Sequence, residues 1–251
     1  MSGQILLNGT PSTIGQMTEH FGCQSDNLVD SDVIALFCED EHKKLERIAY
    51  VDRLTNVFNL AGFSREGKKL VSLLYRFEGV QADIARNNQG VIKKIVNSFL
   101  NNALLKRKTD GAAYLFIDLD GFKEINDKLG HDAGDKVLQE IATLILNRTR
   151  PNDIVGRIGG DEFGVLVRIQ NTKDLESFSA DLQKILDNHY VEYNGKKIKA
   201  TGTIGYKKID MNNYDPREED KKNNPIAIAK AGADADMYEK KRLRYADRTP
   251  R

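Results

Sequence analysis

The apolar run Ala112-Ala113-Tyr114-Leu115-Phe116-Ile117 ends directly on Asp118 and Asp120, and this junction limits the fold more than any other part of the 251-residue chain. A short uninterrupted apolar run bounded by charge predicts a strand buried on both faces. Period two along that strand puts Asp118 and Asp120 on one face and Leu119 on the other. Carboxylates brought together at a strand end repel unless a cation or hydrogen-bond donors neutralise them. The strand end therefore points to a bound cation or to donors from a neighbouring element.

A second acidic pair has a comparable setting. Ile154-Val155 and Phe163-Gly164-Val165-Leu166-Val167 predict two strands around a tight Gly159-Gly160 turn, with Asp161-Glu162 at the hairpin. Elsewhere the period is helical. Leu45, Ile48, Ala49 and Leu54 form one stripe; Leu70, Leu73, Leu74 and Phe77 form another; Ile92, Ile95, Val96, Phe99 and Leu100 form a third, with Gly79 and Gly90 as interruptions. Val137, Ile141, Leu144 and Ile145 mark a helix, as do Leu175, Phe178, Leu182, Ile185 and Leu186. Tyr193-Asn194-Gly195-Lys196 predicts a hairpin turn, since Asn-Gly accepts positive φ, with Ala200 to Tyr206 as the returning strand. Residues 207–224 read as a charged, Asn-rich loop, and Ile226 to about Arg242 as the last helix. Strands that alternate with helices but are joined by hairpins imply an α/β sheet of mixed direction.

Composition removes several classes of function. Lys+Arg 38 against Asp+Glu 37 leaves a net charge of +1, so the chain lacks a strongly basic footprint for nucleic acid or an anionic membrane. Cys23 and Cys38 are too few for a disulfide framework or a four-thiolate zinc site, and reduced thiols fit the cytosol. The start MSGQILLNGT has no basic segment followed by a long apolar stretch, and no run approaches the ~18 apolar residues of a membrane span. A cytoplasmic chain is expected, with no membrane span and no nucleic-acid partner.

Each acidic pair alone is an ordinary solvated turn. Together they say more, because neighbouring strands would bring three or four carboxylates to one edge. Hard oxygen ligands on an open edge suit Mg²⁺, which keeps waters and binds phosphate alongside protein. Gly121 then precedes Phe122-Lys123 at the opening of a helix. Backbone N–H groups at a helix start favour phosphate oxygens, and Lys123 adds a mobile positive charge. A cation site beside a helix start is the arrangement a nucleoside triphosphate requires.

These residues carry a family resemblance. Phe116-Ile117-Asp118-Leu119-Asp120-Gly121-Phe122-Lys123-Glu124-Ile125-Asn126-Asp127, followed by Gly130-His131, Gly134-Asp135 and Leu138, is similar to the first signature of the GGDEF family. Arg157-Ile158-Gly159-Gly160-Asp161-Glu162-Phe163 contains the motif that names that family. Asp52-Arg53-Leu54-Thr55 with Asn59 resembles its N-terminal motif, and Ala233-Asp234 with Met237-Tyr238 its last helix. The four motifs occur in the family's order over residues 46–251. The resemblance implies an α/β fold, a palm-like mixed β-sheet flanked by helices of the nucleotidyl cyclase type. Extra N-terminal helices come from an insert around 64–109, and residues 1–45 form a leader of unknown role.

The resemblance also implies an activity, that of a diguanylate cyclase. Such a protein joins two GTP molecules into cyclic di-GMP with release of two pyrophosphates, using Mg²⁺ or Mn²⁺, across a homodimer. By matched position, Asp118, Asp161 and the Leu119 carbonyl are the metal ligands, and Asp161, Glu162 and Lys123 the catalytic group. Asn126 and Asp135 read guanine; Gly121, Phe122, Lys123, Gly159, Gly160 and Lys241 hold the rest of the nucleotide. Arg150 and Asp153 match an RxxD inhibitory site for the product. Three departures stand out: Asn56 and Leu60 replace a Gly and an Arg of the N-terminal motif, the insert lengthens the chain before β-structure begins, and Tyr245 stands where a phosphate-binding Arg is expected. The same likeness is compatible with a weaker alternative, a module that binds GTP or cyclic di-GMP without turnover.

Overall fold

Large side chains on both faces of one strand require a covering layer on each side. The computed structural model describes residues 43–87, 111–211 and 224–246. Strand β1 (Gly111–Asp120) is buried over nearly its whole length. Leu115, Ile117 and Leu119 join one hydrophobic cluster, Tyr114 and Phe116 the other. β1 lies between β3 (Glu162–Ile169) and β6 (Thr201–Lys208), with β2 (Ile154–Arg157) beyond β3. The three ladders are antiparallel, and an isolated bridge between Phe58 and Gly156 adds a parallel component.

The strand runs three residues past the apolar run, so Asp118 and Asp120 sit inside the ladder. Asp118 faces Glu162 across β3 and Thr203 across β6, while Asp120 faces Thr201. Backbone pairing with Thr203 and Thr201 extends the strand where hydrophobicity alone gives no reason for it.

One face is covered by α3 (His131–Arg148) and α4 (Thr172–Asp187), which bury Val137, Leu138, Ile141, Ile145, Leu175 and Leu182. Burying each such side chain contributes about 1.5–3 kcal/mol. The other face is covered by α1 (Leu60–Asn87) and α5 (Pro225–Ala246). The short α2 (Phe122–Leu129) joins β1 to α3.

Several sequence expectations change. Helix α1 continues through Gly79, which does not interrupt it. Its buried seam is Phe63, Leu70, Val71 and Leu74, while Leu73 is 44% exposed. One position of a helix turns by about 100°, so residues 73 and 74 face different surroundings. The helix expected over Ile92 to Leu100, Gly90 and the leader apart from its last residues lie outside the described residues. The Asn-Gly turn forms, with φ 49 at Asn194 and 72 at Gly195. It joins β4 (Tyr190–Tyr193) to β5 (Lys196–Lys199), so β5 is the returning strand. The Ala200–Tyr206 run belongs instead to β6 of the main sheet, where a longer apolar strand finds a buried neighbour in β1.

The chain divides into two compact units, Met1–Ile48 and Ala49–Arg251. Residues 43–50 are helical, and Leu45 and Ile48 are exposed. The stripe through Leu45, Ile48, Ala49 and Leu54 is broken, because Leu54 lies in a turn closed by Asp52. The Asp52 carboxylate accepts from the Thr55 N–H (2.9 Å) and hydroxyl (2.6 Å), and the Asp52 N–H donates to the Val57 carbonyl (2.8 Å). Asn56 at the tip has φ 58, the conformation for which the family uses glycine. Asparagine tolerates it better than most residues. Asn56→Ala should lower stability by about 1 kcal/mol and Asn56→Gly should not, a difference readable in paired urea melts. Leu60, in place of the family's arginine, is simply exposed at 53%.

Candidate active site

Directly opposed residues on paired strands project to the same side, so Asp118, Asp120 and Glu162 share the face covered by α5. The turn that carries Asp161 is fastened beside β1: the Leu119 N–H donates to the Asp161 carbonyl at 3.3 Å. The Ile158 N–H closes the hairpin on the Glu162 carbonyl at 2.9 Å. Gly159 lacks a side chain for a visible reason. A Cβ there would stand 2.3 Å from Glu162 Oε2. Gly160 has open space above it.

Arg157 locks the turn. Its guanidinium donates twice to the Gly160 carbonyl (3.0 and 2.7 Å) and reaches Asp52 Oδ1 at 3.4 Å. Burial pushes the Asp52 carboxyl up, but bonds from Thr55 and the charge of Arg157 outweigh it, so the group stays below the usual carboxylate range. Asp52 thus ties the N-terminal turn to the Gly-Gly hairpin across 105 positions of sequence.

The strand-end acids meet donors from neighbouring elements, as one of the two expectations had it. Lys241 on α5 contacts Asp118 and stands 3.7 Å from Asp120. Asp120 accepts from Thr203 (3.0 Å) and Thr201 (3.4 Å) and lies 3.9 Å from Arg244. Asp120 is therefore turned toward donors on β6 and α5, and no group of three acids able to hold a metal forms among the described residues. The expected convergence of three or four carboxylate ligands reduces to a pair of side chains. Burial, then the charge of Asp118, raises the pKa of Asp161; the same two causes, in that order, raise Glu162. Lys241 is raised despite burial, because its contact with Asp118 favours the ammonium.

This donor set suits a divalent ion. Asp118 and Asp161 repel one another, a lysine already occupies the position of a counter-charge, and the Leu119 backbone lies between the two acids. Two carboxylates and a carbonyl leave positions for water and phosphate, as Mg²⁺ prefers.

The remaining expected site residues cluster around α2. Gly121 caps it in the left-handed region, φ 69 and ψ 20, followed by Phe122 and Lys123. Lys123 is exposed with no hydrogen bond or ion pair among the described residues. Asn126 Oδ1 is buried without a partner among the described residues. A Cβ on Gly134 would stand 1.9 Å from that oxygen, so Asn126 lies against the start of α3, beside the exposed Asp135. Glycine at 134 is what leaves room for the Asn126 side chain.

Arg150 and Asp153 sit at the turn from α3 to β2. They line a cavity of about 130 Å³ with Arg148, Arg168, Asp174 and Phe178. Arg148, Arg168 and Asp174 carry no sequence signal as a group, since they come from α3, β3 and α4, which only the fold brings together. Two arginines precede Tyr245 on α5, and they differ in availability. Arg244 is engaged by Asp187 and by the Gly202 carbonyl at 3.2 Å, whereas Arg242 is exposed. Gln183 was not marked by any motif, yet it accepts from the Ile204 N–H (3.0 Å) and donates to the Gly202 carbonyl (2.7 Å), holding β6 to α4.

Known proteins share this arrangement. Residues 87–242 match the family described as the diguanylate cyclase GGDEF domain. Diguanylate cyclase TpbB of Pseudomonas aeruginosa is 38% identical over 144 residues, covering 51% of this chain and 32% of that protein. The probable diguanylate cyclase DgcE of Escherichia coli is 36% identical over 106 residues, 42% of this chain and 10% of its own length. The chain thus spans a third or less of these relatives. The solved GGDEF domain of TpbB superposes with a TM-score of 0.53 at 28% identity, covering 77% of this chain and 90% of that one. The coiled coil and GGDEF domain of DgcB from Caulobacter crescentus, solved with c-di-GMP, gives a TM-score of 0.60 at 19% identity over 85% of this chain and 91% of that one, a likeness of fold. With the four motifs in order and a family match over residues 87–242, the chain belongs to the GGDEF-domain family.

Proposed function

We propose that this chain is a diguanylate cyclase that condenses two GTP molecules into cyclic di-GMP. One observation carries the reading: the Leu119 N–H holds the Asp161 peptide beside the end of β1, so that Asp161 and Asp118 repel one another there, with Lys241 as a counter-charge on Asp118. Asp118, Asp161 and the Leu119 carbonyl would hold a divalent ion, Mg²⁺ or Mn²⁺, which would supply positive charge to the phosphates and lower the pKa of the attacking hydroxyl.

The chain's own groups do the rest. Lys123, without a partner among the described residues, and Lys241, released from Asp118, grip phosphate oxygens, with N–H groups at the Gly121–Phe122 helix start. Gly159 and Gly160 allow close approach of the nucleotide. Asp135 accepts from guanine N1–H and its 2-amino group, and Asn126 Oδ1, which has no partner among the described residues, takes its place beside it. Adenine offers no such pair of donors, so bound in the same place it would leave Asp135 and Asn126 unpaired. Glu162 lies by the reacting ribose and accepts the 3′-hydroxyl proton. A bond from O3′ to the α-phosphorus forms as the bond to pyrophosphate breaks, and this happens twice. Each copy holds one GTP, so the ring closes only between two copies. Product bound at Arg150 and Asp153 restrains the reaction.

Purified chain with GTP and Mg²⁺, resolved by chromatography, should give cyclic di-GMP and pyrophosphate in a one-to-two ratio, with ATP left unconsumed. GTP binding without product would make the chain a binding module instead. Neither binding nor product would remove the reading altogether.

A further inference from the structure

Lys230 and Lys241 lie on one stripe of α5, about three helical turns apart, and both reach down to the sheet. Lys241 is committed: it contacts Asp118 and stands 3.7 Å from Asp120. Lys230 is not. It is half-buried, its Nζ lies 5.8 Å from the centroid of the Phe116 ring, and it has no ion pair or hydrogen bond among the described residues. A partly desolvated ammonium over an aromatic face keeps a weak attraction and leaves its donors for a stronger acceptor.

The acceptor on that side is Glu162. Phe116 opposes Gly164 across the β1–β3 ladder, and Glu162 is the next β3 residue toward the hairpin on the same face. Burial and Asp118 raise Glu162, and the charge of Lys230 works against them; for Asp161 the lysine that does so is Lys241. The two lysines thus serve different carboxylates.

The Glu162 carboxylate is folded back over Gly159, where an added Cβ would stand 2.3 Å from its Oε2. A nucleotide that approaches the Gly159-Gly160 backbone closely needs that space. Glu162 must then turn out of it, and the other way along β3 leads toward Gly164, where Lys230 stands over Phe116. We infer that Lys230 is a positioning residue: its ammonium receives the Glu162 carboxylate when the nucleotide takes the space over Gly159, and holds it at the ribose, aimed at the 3′-hydroxyl. The inference rests on the cyclase reading given above.

Lys230→Met separates the charge from the apolar stem that covers Phe116, since methionine keeps most of that stem. The full chain is compared as wild type, Lys230→Met, Lys230→Arg, Glu162→Gln and the Lys230→Met, Glu162→Gln double variant. In equilibrium dialysis with Mg²⁺, Lys230→Met should bind 3′-deoxy-GTP, which cannot react, within about twofold of wild type, while kcat for cyclic di-GMP falls by about 10- to 100-fold at unchanged KM. Lys230→Arg should restore most of the rate. In the Glu162→Gln background, Lys230→Met should change the rate by less than about twofold, because its route through the carboxylate is already cut. If Lys230→Met weakens 3′-deoxy-GTP binding and raises KM, or slows Glu162→Gln as much as it slows wild type, Lys230 acts on the nucleotide; the assignment then fails and the cyclase reading stands. Wild-type kcat in Lys230→Met has the same consequence. If wild type forms no cyclic di-GMP, the cyclase reading itself fails and takes the assignment with it.

Discussion

Asp161→Asn should yield a folded protein whose cyclic di-GMP formation falls by on the order of 10³-fold or more. Asparagine keeps the size of the side chain and the backbone contact from the Leu119 N–H to the Asp161 carbonyl. What it removes is the negative charge that, with Asp118, gives a divalent ion its protein ligands. Stability should move the other way. The Asp161 carboxyl is raised by burial and then by Asp118, so its ionised form is disfavoured in the folded state. A raised carboxylate contributes stability that is fully present below the ordinary Asp range and is lost as pH rises through the raised value. At neutral pH the metal-free wild type therefore carries repulsion that the variant lacks. Melting curves without metal should place Asp161→Asn at or above wild type at pH 7, with the gap closing below about pH 4. Added Mg²⁺ should raise the wild-type melting temperature more than the variant's. Equal Mg²⁺ stabilisation of both proteins, or turnover retained within tenfold, would remove Asp161 from the metal site.

How far such a site is legible in advance depends on the range of the interaction. Period two along 112–120 placed Asp118 and Asp120 on one face, and Lys241 touches both. The Gly159-Gly160 hairpin could be read because turn chemistry is local. The length of β1 was underestimated, since its last residues are held by pairing to Thr203 and Thr201, some eighty positions away. The same limit hid β5, a four-residue strand in which Ile198 alone is buried. No local pattern announces the Asp52–Arg157–Gly160 clamp or the Asp120–Thr203 bond, because each needs the sheet to exist first. Asn56 shows the converse. A departure from the family motif's glycine, it adopts a left-handed backbone that its side-chain chemistry permits.

The most damaging small substitution should be Gly205→Ala, at a position that no catalytic motif includes. Gly205 faces Phe116 across the β1–β6 ladder, directly beneath α5. A Cβ there would stand 2.0 Å from the Ala233 carbonyl oxygen and 2.3 Å from the Met237 nitrogen, where ordinary contact begins at 3.4 Å. Both atoms are backbone in mid-helix, so no rotamer change relieves them, and α5 must lift from the sheet. Lifting it loosens the buried Ala229, Ala233 and Met237 and strains the bond from the Tyr206 N–H to Asp236 (2.9 Å). It also draws Lys241 away from Asp118, since both contacts depend on the height of the same helix. Overpacking of this kind costs about 1–3 kcal/mol or more, against which alanine's smaller unfolded-state entropy returns less than about 1 kcal/mol. For a chain of this size, each kcal/mol shifts the melting temperature by about 2–4 °C, so a loss of roughly 5–10 °C is expected. Gly160→Ala is the matched control for stability, because its Cβ meets nothing within 4 Å and its φ is not positive. That variant should melt with wild type. If Gly205→Ala also melts within about 2 °C of wild type, α5 is not seated on β6 as described, and the placement of Lys241 over the strand-end acids goes with it.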